Sequence, residues 1–147
     1  MPRNSKSKGI DRIIDANLNR IKEGLRVLEE ISRFVLVNRY LTSELKKFRH
    51  RLDSIIKILP QRGVLLKDRN SLKDIGKTIY MNELRRNDCR DIFSANIQRV
   101  KESLRVLEEF SKLKDTRAAI RFKEARYYIY ELEKKIDQRL SSLRYLR

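Results

Sequence analysis

One stretch of this chain occurs twice. Residues 17–30 read NLNRIKEGLRVLEE and residues 96–109 read NIQRVKESLRVLEE, at an offset of 79 residues (96 minus 17). Similar cores would explain repeated apolar letters, because apolar residues recur at helical spacing in any amphipathic helix. The repeated asparagine, arginine and glutamates need another reason, since polar groups that face a core are costly. The chain therefore contains an internal duplication whose polar letters have to be explained.

The duplication extends beyond the quoted letters. At the same offset Ile13 pairs with Ile92, Ala16 with Ala95, and Ser32 with Ser111. A weaker match follows at an offset of 77, where Leu45 aligns with Phe122, Lys46 with Lys123, Arg49 with Arg126, and Leu52 with Ile129. Each half is therefore predicted to form a long helical hairpin. Two such hairpins predict an all-α fold, a four-helix bundle with pseudo-twofold symmetry and a long crossover loop.

Capping residues and helix breakers set the predicted boundaries. Residues 1–9 are expected to be a disordered basic tail, and residues 10–147 a single helical domain. Within that domain, repeat one covers 10–59, the linker covers 60–88 and repeat two covers 89–147. Helices are predicted over 10–37, from a cap at Thr42 or Ser43 to Leu59 before Pro60, over 88–113, and from a cap at Asp115 or Thr116 almost to residue 146.

The composition is typical of a soluble, mostly helical protein. Charged residues make up 38% of the chain and hydrophobic residues 40%, with only four Gly and two Pro. No apolar run approaches the roughly 20 residues that a transmembrane helix needs, and the basic N-terminus lacks the apolar segment of a secretory signal. The lack of such a run leads us to expect no membrane partner. The one cysteine, Cys89, cannot form an internal disulfide, which favours a cytoplasmic location.

The net charge of +16 favours anionic partners, namely nucleic acid, phosphorylated metabolites or an acidic membrane surface. A general bias of the source proteome toward basic residues explains the charge equally well. Basic residues are interleaved with acidic ones along the whole chain, which argues against a dedicated nucleic-acid-binding arm.

A helical wheel indicates where the repeated polar residues point. Asn17 falls in the middle of the apolar arc of its helix, Arg20 lies on the flank of that arc, and Glu23 lies just outside its edge. The second copy repeats this pattern with Asn96, Arg99 and Glu102. One interpretation is a polar pocket in each hairpin; the other is a pair of buried networks that set the register of the bundle.

Two further arginines, Arg49 and Arg126, occupy matching positions at the border of their apolar stripes. Together with Arg20 and Arg99 they are expected to converge on the interior edges of the bundle. Arginine in such a place suits phosphate, which it binds with two parallel hydrogen bonds.

The linker carries the remaining candidate motifs. Its length indicates a functional loop, although a plain crossover is the alternative. No sheet is expected, and the only strand that the sequence allows is a short one near Val64. The string SLKDIGKT at 71–78 is close to a phosphate-binding loop, but Ser71 replaces the first glycine and the surrounding helices do not provide the required sheet. One histidine and one cysteine exclude an ordinary zinc site.

Three segments of the chain resemble a family of alternative hydroxymethylpyrimidine phosphate kinases. They read RIIDANLNRIKEGLRVLEEISRFVL, LKKFRHRL and DIFSANIQRVKESLRVLEE. These are small all-α domains that occur alone or fused ahead of thiamine-phosphate synthase, and the resemblance implies the stand-alone form. The linker string RNSLKDIGK resembles the family pattern R-D-T-x-x-D-V-G-T, keeping Arg69, Asp74 and Gly76. Asn70 stands in place of its first acid and Lys77 in place of its last threonine.

The resemblance implies ATP-dependent phosphorylation of hydroxymethylpyrimidine monophosphate to the diphosphate, with ATP as co-substrate and Mg²⁺ bound by Asp74. The implied partners are therefore a small phosphorylated pyrimidine and a nucleotide, and a homodimer is possible. Four residues are expected in catalysis, Asp74, Arg69, Arg20 and Arg99. Seven are expected to bind substrate, namely Asn17, Glu23, Arg49, Asn96, Glu102, Arg126 and Gly76.

The alternative function is a basic helical module that binds RNA or another protein without catalysis. Its arginines would form one exposed stripe, and its affinity would fall steeply with salt. The arginines of a kinase would instead converge on a pocket.

Overall fold

A computed structural model describes residues 4–59 and 62–143. Five α-helices follow one another along the chain: α1 Ser5–Glu30, α2 Arg39–Ile56, α3 Arg62–Asp68, α4 Cys89–Ser111 and α5 Thr116–Ser142. A π-helical turn at Ile31–Val35 continues α1, and short 3-10 helices lie at Ser71–Lys73 and Met81–Leu84. No strand occurs over 4–59 and 62–143, and the all-α prediction is confirmed.

Side-chain caps fix where the helices begin. Asn4 accepts a hydrogen bond from the amide of Ser7, so α1 begins at Ser5 and residues 5–9, expected in the disordered tail, are helical. Asn38 accepts from the amide of Leu41 and caps α2 four residues before the predicted Thr42. An extended Asn38 after the left-handed Val37 supplies the turn that separates α1 from α2.

Two other structural predictions have clear outcomes. Asp115 caps α5 as predicted. The short strand allowed near Val64 does not form, because residues 62–68 are helical in α3. Residues 1–3, Pro60 and the last residues of the predicted fourth helix, 144–147, lie outside the described part of the chain.

The helices pack in a closed series of pairs. The pair α1 and α4 has the most extensive contact, α4 packs on α5, and α2 contacts both α1 and α5. A Cβ atom on Gly24 would lie 3.3 Å from the backbone oxygen of Asn96, while Asp11 pairs with Lys114 at 3.1 Å. A late residue of α1 thus lies beside an early residue of α4, and an early residue of α1 pairs just after the end of α4, so these two helices run antiparallel.

The core is built from equivalent positions of the two repeats. Leu25 and Leu104 are fully buried, as are Leu45 and Phe122, which align at the second offset. The linker breaks this equivalence, because α3 packs on α1, whereas its contact with α4 is at most marginal. The pseudo-twofold relation between the hairpins stays a prediction, whereas the matching burial of repeated positions is observed.

No helix in the described ranges is long and apolar enough to cross a membrane.

Candidate functional site

An ion pair holds the linker against the first repeat. Arg69 donates from Nε and Nη2 to the two carboxylate oxygens of Asp15, both at 2.8 Å. The Asp15 side chain is only 12% exposed, and its hydrogen bonds raise the pKa of Arg69 above the usual range. A bidentate pair of this kind fixes orientation as well as distance. The linker is therefore seated on α1 in one defined position.

Below this ion pair lies a cleft of about 560 Å³, which we call the linker cleft. One wall is the face of α1 that carries Asn17, Arg20 and Glu23, and the other is the linker with Arg69 and Asp74. Its further lining residues are Gly9, Arg12, Ile13, Asp15, Ala16, Asn19, Asn70 and Ser71. Five of the predicted site residues thus line one cleft, although they lie up to 57 positions apart in sequence (74 minus 17).

Asp74 is positioned by a tight turn of the linker. Its Oδ1 accepts a hydrogen bond from the amide of Gly76 at 2.8 Å, and its backbone oxygen accepts from Lys77. A Cβ atom on Gly76 would lie 3.3 Å from that same Oδ1. Gly76 therefore shapes the turn around Asp74, and its amide is already engaged in this conformation.

The two repeated asparagines make the same intrahelical bond. Asn17 donates from Nδ2 to the backbone oxygen of Ile13, and Asn96 donates to that of Ile92, each at 2.8 Å. Asn17 is buried, and its Oδ1 accepts a long bond of 3.4 Å from Arg20. The carbonyl edge of Asn17 thus remains weakly engaged and faces the linker cleft.

The expected convergence of all four arginines does not occur. Arg20 is exposed but lines the linker cleft, whereas Arg99 is exposed on α4 away from the linker. The physical reason is that the linker packs on α1. The matching face of α4 borders α5 instead, and Ser94 and Gln98 stay exposed there beside a cleft of about 400 Å³.

Glu102 is likewise exposed and accepts a hydrogen bond from Gln98 at 2.9 Å, on the same helix. The expectation that Asn96, Arg99 and Glu102 form a second pocket equivalent to the first is therefore not met in the described part of the chain.

Each repeat contains a buried glutamate that pairs with an arginine of the following helix. The helical wheel did not single out this glutamate. Glu29 is 1% exposed and its Oε2 lies 3.0 Å from Nε of Arg49. Its counterpart Glu108 is 4% exposed and lies 3.2 Å from Nη2 of Arg126. Of the two adjacent glutamates in each repeat, the first is therefore buried against the arginine of the following helix, and this pair ties the hairpin together.

A second arginine completes each of these clusters. Arg26 lies 3.6 Å from Glu29, and Arg105 lies 3.0 Å from Glu108. The helical wheel does indicate that Glu29 can be buried, because Glu29 follows Leu25 by one helical turn and lies at the edge of the apolar arc.

A second cleft of about 600 Å³ adjoins the first, and we call it the Arg49 cleft. Six residues line it, Lys22, Glu23, Arg26, Arg49, Leu52 and Asp53. Because Glu23 lines both clefts, they adjoin at this side chain of α1, and we call the two together the groove.

The carboxylates of the groove bear on metal binding. No group of three or more metal-ligating side chains occurs over 4–59 and 62–143. Mg²⁺ that arrives on a nucleotide needs only one or two protein carboxylates, because phosphate oxygens and water complete its shell. Asp74 and Glu23 face the linker cleft and fit this requirement, while both oxygens of Asp15 are engaged by Arg69.

Fold and site together define an all-helical protein with a groove of arginines and carboxylates suited to a small anionic ligand. A family model described as the ThiD2 family matches residues 12–135. The chain belongs to the ThiD2 family.

Curated relatives extend this result. The chain is 42% identical over 125 residues to a thiamine-phosphate synthase of Synechocystis sp., covering 84% of this chain and 35% of the relative. It is 34% identical over 141 residues to a thiamine-phosphate synthase of Rhodopirellula baltica, covering 95% of this chain and 37% of the relative. The chain thus spans about a third of the length of the curated relatives it matches. No solved structure matches it.

Proposed function

We propose that this chain is a kinase of thiamine biosynthesis that converts hydroxymethylpyrimidine monophosphate to the diphosphate with ATP. The names of its relatives support a place in thiamine biosynthesis. In the proposed reaction, a phosphate oxygen of the pyrimidine substrate attacks the γ-phosphorus of ATP. The new P–O bond forms as the bond to the β-phosphate oxygen breaks, and ADP leaves.

The observation that carries this proposal is the linker cleft. Phosphoryl transfer asks little covalent chemistry of the protein, since catalysis consists mainly of positioning and charge stabilisation. Arg69 and Arg20 place two guanidinium groups around the cleft, and Asp74 adds a carboxylate. A groove that only carried a crossover would not require a bidentate pair with the nearly buried Asp15 to hold the linker over α1.

Each residue of the linker cleft has a role in the proposed reaction. The arginines would bind phosphate oxygens, and the carbonyl edge of Asn17 would accept a hydrogen bond from the amino group of the pyrimidine. Asp74 and Glu23 would hold Mg²⁺, which would neutralise charge on the phosphates. Arg69 is partly occupied by Asp15, so its main contribution is to position the linker.

The test is a coupled assay for ADP release with hydroxymethylpyrimidine monophosphate, ATP and Mg²⁺. The wild type should turn over, and Asp74→Asn should lose at least about tenfold of kcat/KM, corresponding to about 1.4 kcal/mol. Asp137→Asn is the matched control, because Asp137 is a half-exposed residue of α5 whose pair with Arg90 contributes little. Circular dichroism of both variants should show unchanged helical content.

Two outcomes would count against the proposal. If Asp74→Asn and Asp137→Asn turn over equally well, Asp74 has no part in catalysis. If the wild type releases no ADP but binds RNA with an affinity that falls steeply with salt, the chain is a binding module. The exposed Arg99 and the net charge of +16 would then be the features that matter.

A further inference from the structure

The residues that line the Arg49 cleft have counterparts in the second repeat, and one of the six pairs differs in chemistry. At the two offsets of the duplication, five of its six lining residues have identical or similar counterparts. These pairs are Lys22 with Lys101, Glu23 with Glu102, Arg26 with Arg105, Arg49 with Arg126, and Leu52 with Ile129. The sixth pair is Asp53 with Tyr130, so a small carboxylate in the first repeat stands where the second has a large ring.

Tyr130 covers the second arginine. Arg126 donates from Nη1 to the Tyr130 hydroxyl at 2.8 Å, and the guanidinium carbon lies 5.8 Å from the ring centre. Tyr127 lies against the same guanidinium at 5.3 Å. The side chain of Arg126 is consequently only 12% exposed. In the second repeat, Nη1 and Nη2 of this guanidinium are thus bonded to Tyr130 and Glu108, and only Nε lacks a hydrogen-bond partner.

The first repeat leaves the equivalent arginine open. Arg49 is 28% exposed, and neither Asp53 nor His50, the counterparts of Tyr130 and Tyr127, forms such a cover. Its Nε lies 3.0 Å from Glu29 without the alignment of a hydrogen bond. The arginine is therefore anchored by charge at one side, and its outer edge faces the cleft.

The charges of the cleft select a class of ligand. Lys22, Arg26 and Arg49 are cationic, while Glu23 and Asp53 are carboxylates at the same opening. Lys22 and Asp53 are 3.8 Å apart and each is 52% exposed, so their pairing is weak and can be displaced. Cations beside carboxylates suit a polyphosphate that carries a divalent cation better than a bare phosphate.

We propose that the Arg49 cleft takes the phosphate tail of a nucleotide as its magnesium complex, while the linker cleft takes the phosphorylated pyrimidine. This proposal rests on the proposed kinase function. Glu23, which lines both clefts, stands at the junction where the two phosphate groups meet. The second repeat has lost the equivalent site because Tyr130 fills it.

The duplication supplies the experiment, since Asp53→Tyr gives the first repeat the residue of the second. We expect the wild type to bind Mg·ADP in isothermal titration calorimetry, and Asp53→Tyr to weaken that binding by at least about tenfold. Lys22→Met, a change at a half-exposed side chain that does not threaten folding, should weaken it by several fold. Asp137→Tyr, on the surface of α5, is the control and should bind as the wild type does.

Kinetics distinguish this proposal from the proposed function. Asp53→Tyr should raise the KM for ATP and leave the KM for the pyrimidine substrate within about twofold. If the wild type turns over but Asp53→Tyr changes only the pyrimidine KM, the cleft assignment is wrong and the kinase stands. If the wild type binds Mg·ADP and Asp53→Tyr abolishes the binding without any turnover being found, the cleft assignment stands and the kinase fails. Unchanged Mg·ADP binding in both Asp53→Tyr and Lys22→Met, or no binding by the wild type, would overturn the cleft assignment.

Discussion

Of the two adjacent glutamates Glu108 and Glu109, replacing Glu108 should lower the free energy of unfolding far more than replacing Glu109. Glu108 is 5% exposed at its side chain and contacts Arg126, which is 12% exposed. Glu109 is 43% exposed and contacts Lys112 and Arg105 at the surface. Glu108→Ala leaves a nearly buried guanidinium without its carboxylate, whereas Glu109→Ala removes surface pairs only.

The magnitudes differ enough to be measured. Breaking a buried ion pair by removing one partner costs about 3–5 kcal/mol, and the bond from Arg126 to Tyr130 favours the lower end. Glu108→Ala should therefore lower the free energy of unfolding by about 3 kcal/mol, or the melting temperature by roughly 6–12 °C for a chain of this size. Glu109→Ala should cost no more than about 1 kcal/mol.

The assay is urea unfolding followed by far-ultraviolet circular dichroism, with both variants and the wild type measured at one protein concentration. The slope of the free energy against urea should be the same for all three, so that midpoints can be compared directly. Glu108→Gln keeps the volume and should fall between the wild type and Glu108→Ala. Equal midpoints for Glu108→Ala and Glu109→Ala would refute the assignment of the first glutamate as the buried one.

Four further substitutions test individual contacts. Gly24→Ala should destabilise by about 1–2 kcal/mol, because its Cβ would lie 2.7 Å from a methyl group of α4 and overpacking outweighs the helix propensity gained. Gly9→Ala, which meets nothing within 4 Å, should stabilise by about 0.5–1 kcal/mol in the same unfolding assay. Tyr128 donates a hydrogen bond to Glu44 that lowers the pKa of Glu44 below 4.5. The resulting stability is complete above about pH 4.5 and is lost as pH falls through the lowered pKa, so Tyr128→Phe should flatten the decline of the unfolding midpoint below that pH. Asp15→Asn should release the linker, seen as faster protease cleavage between residues 69 and 88 with unchanged helical content.

The sequence predicted the helical elements well because their signals are local. Helical spacing of apolar residues and caps such as Asp115 depend on a few neighbours, and the structure places α4 and α5 within a few residues of the predicted bounds. The cap of α2 and the helix at residues 62–68 were missed. Asn38 caps α2 in place of Thr42 because Val37 adopts a left-handed conformation and turns the chain just before it. The residue types around Val37 do not indicate this turn.

The candidate site was harder to predict, because the predictions were based on residues that both repeats share, whereas Asp15 and Asp53 occur in the first repeat only. The linker is held by Asp15, whose counterpart in the second repeat is Ser94. The Arg49 cleft is open because of Asp53, whose counterpart is Tyr130. The residues shared by the two repeats thus include both the buried pairs that hold each hairpin and much of the groove lining, whereas Asp15 and Asp53 occur in the first repeat only.

One difference in length explains why the groove lies on the first repeat. Helix α5 has 27 residues and α2 has 18, so α2 is about 13 Å shorter at 1.5 Å per residue. In the second repeat, Asp137 and its neighbours late in α5 lie beside Ser94 and Gln98 of α4, around an open cleft of about 400 Å³. The matching face of α1 has no long helix beside it, and α3 with the linker occupies the space. A linker can bring Arg69 and Asp74 there, whereas a longer α2 would have buried the face against another helix. Extending α2 would therefore fill the linker cleft, even if every α1 residue that lines the cleft were kept.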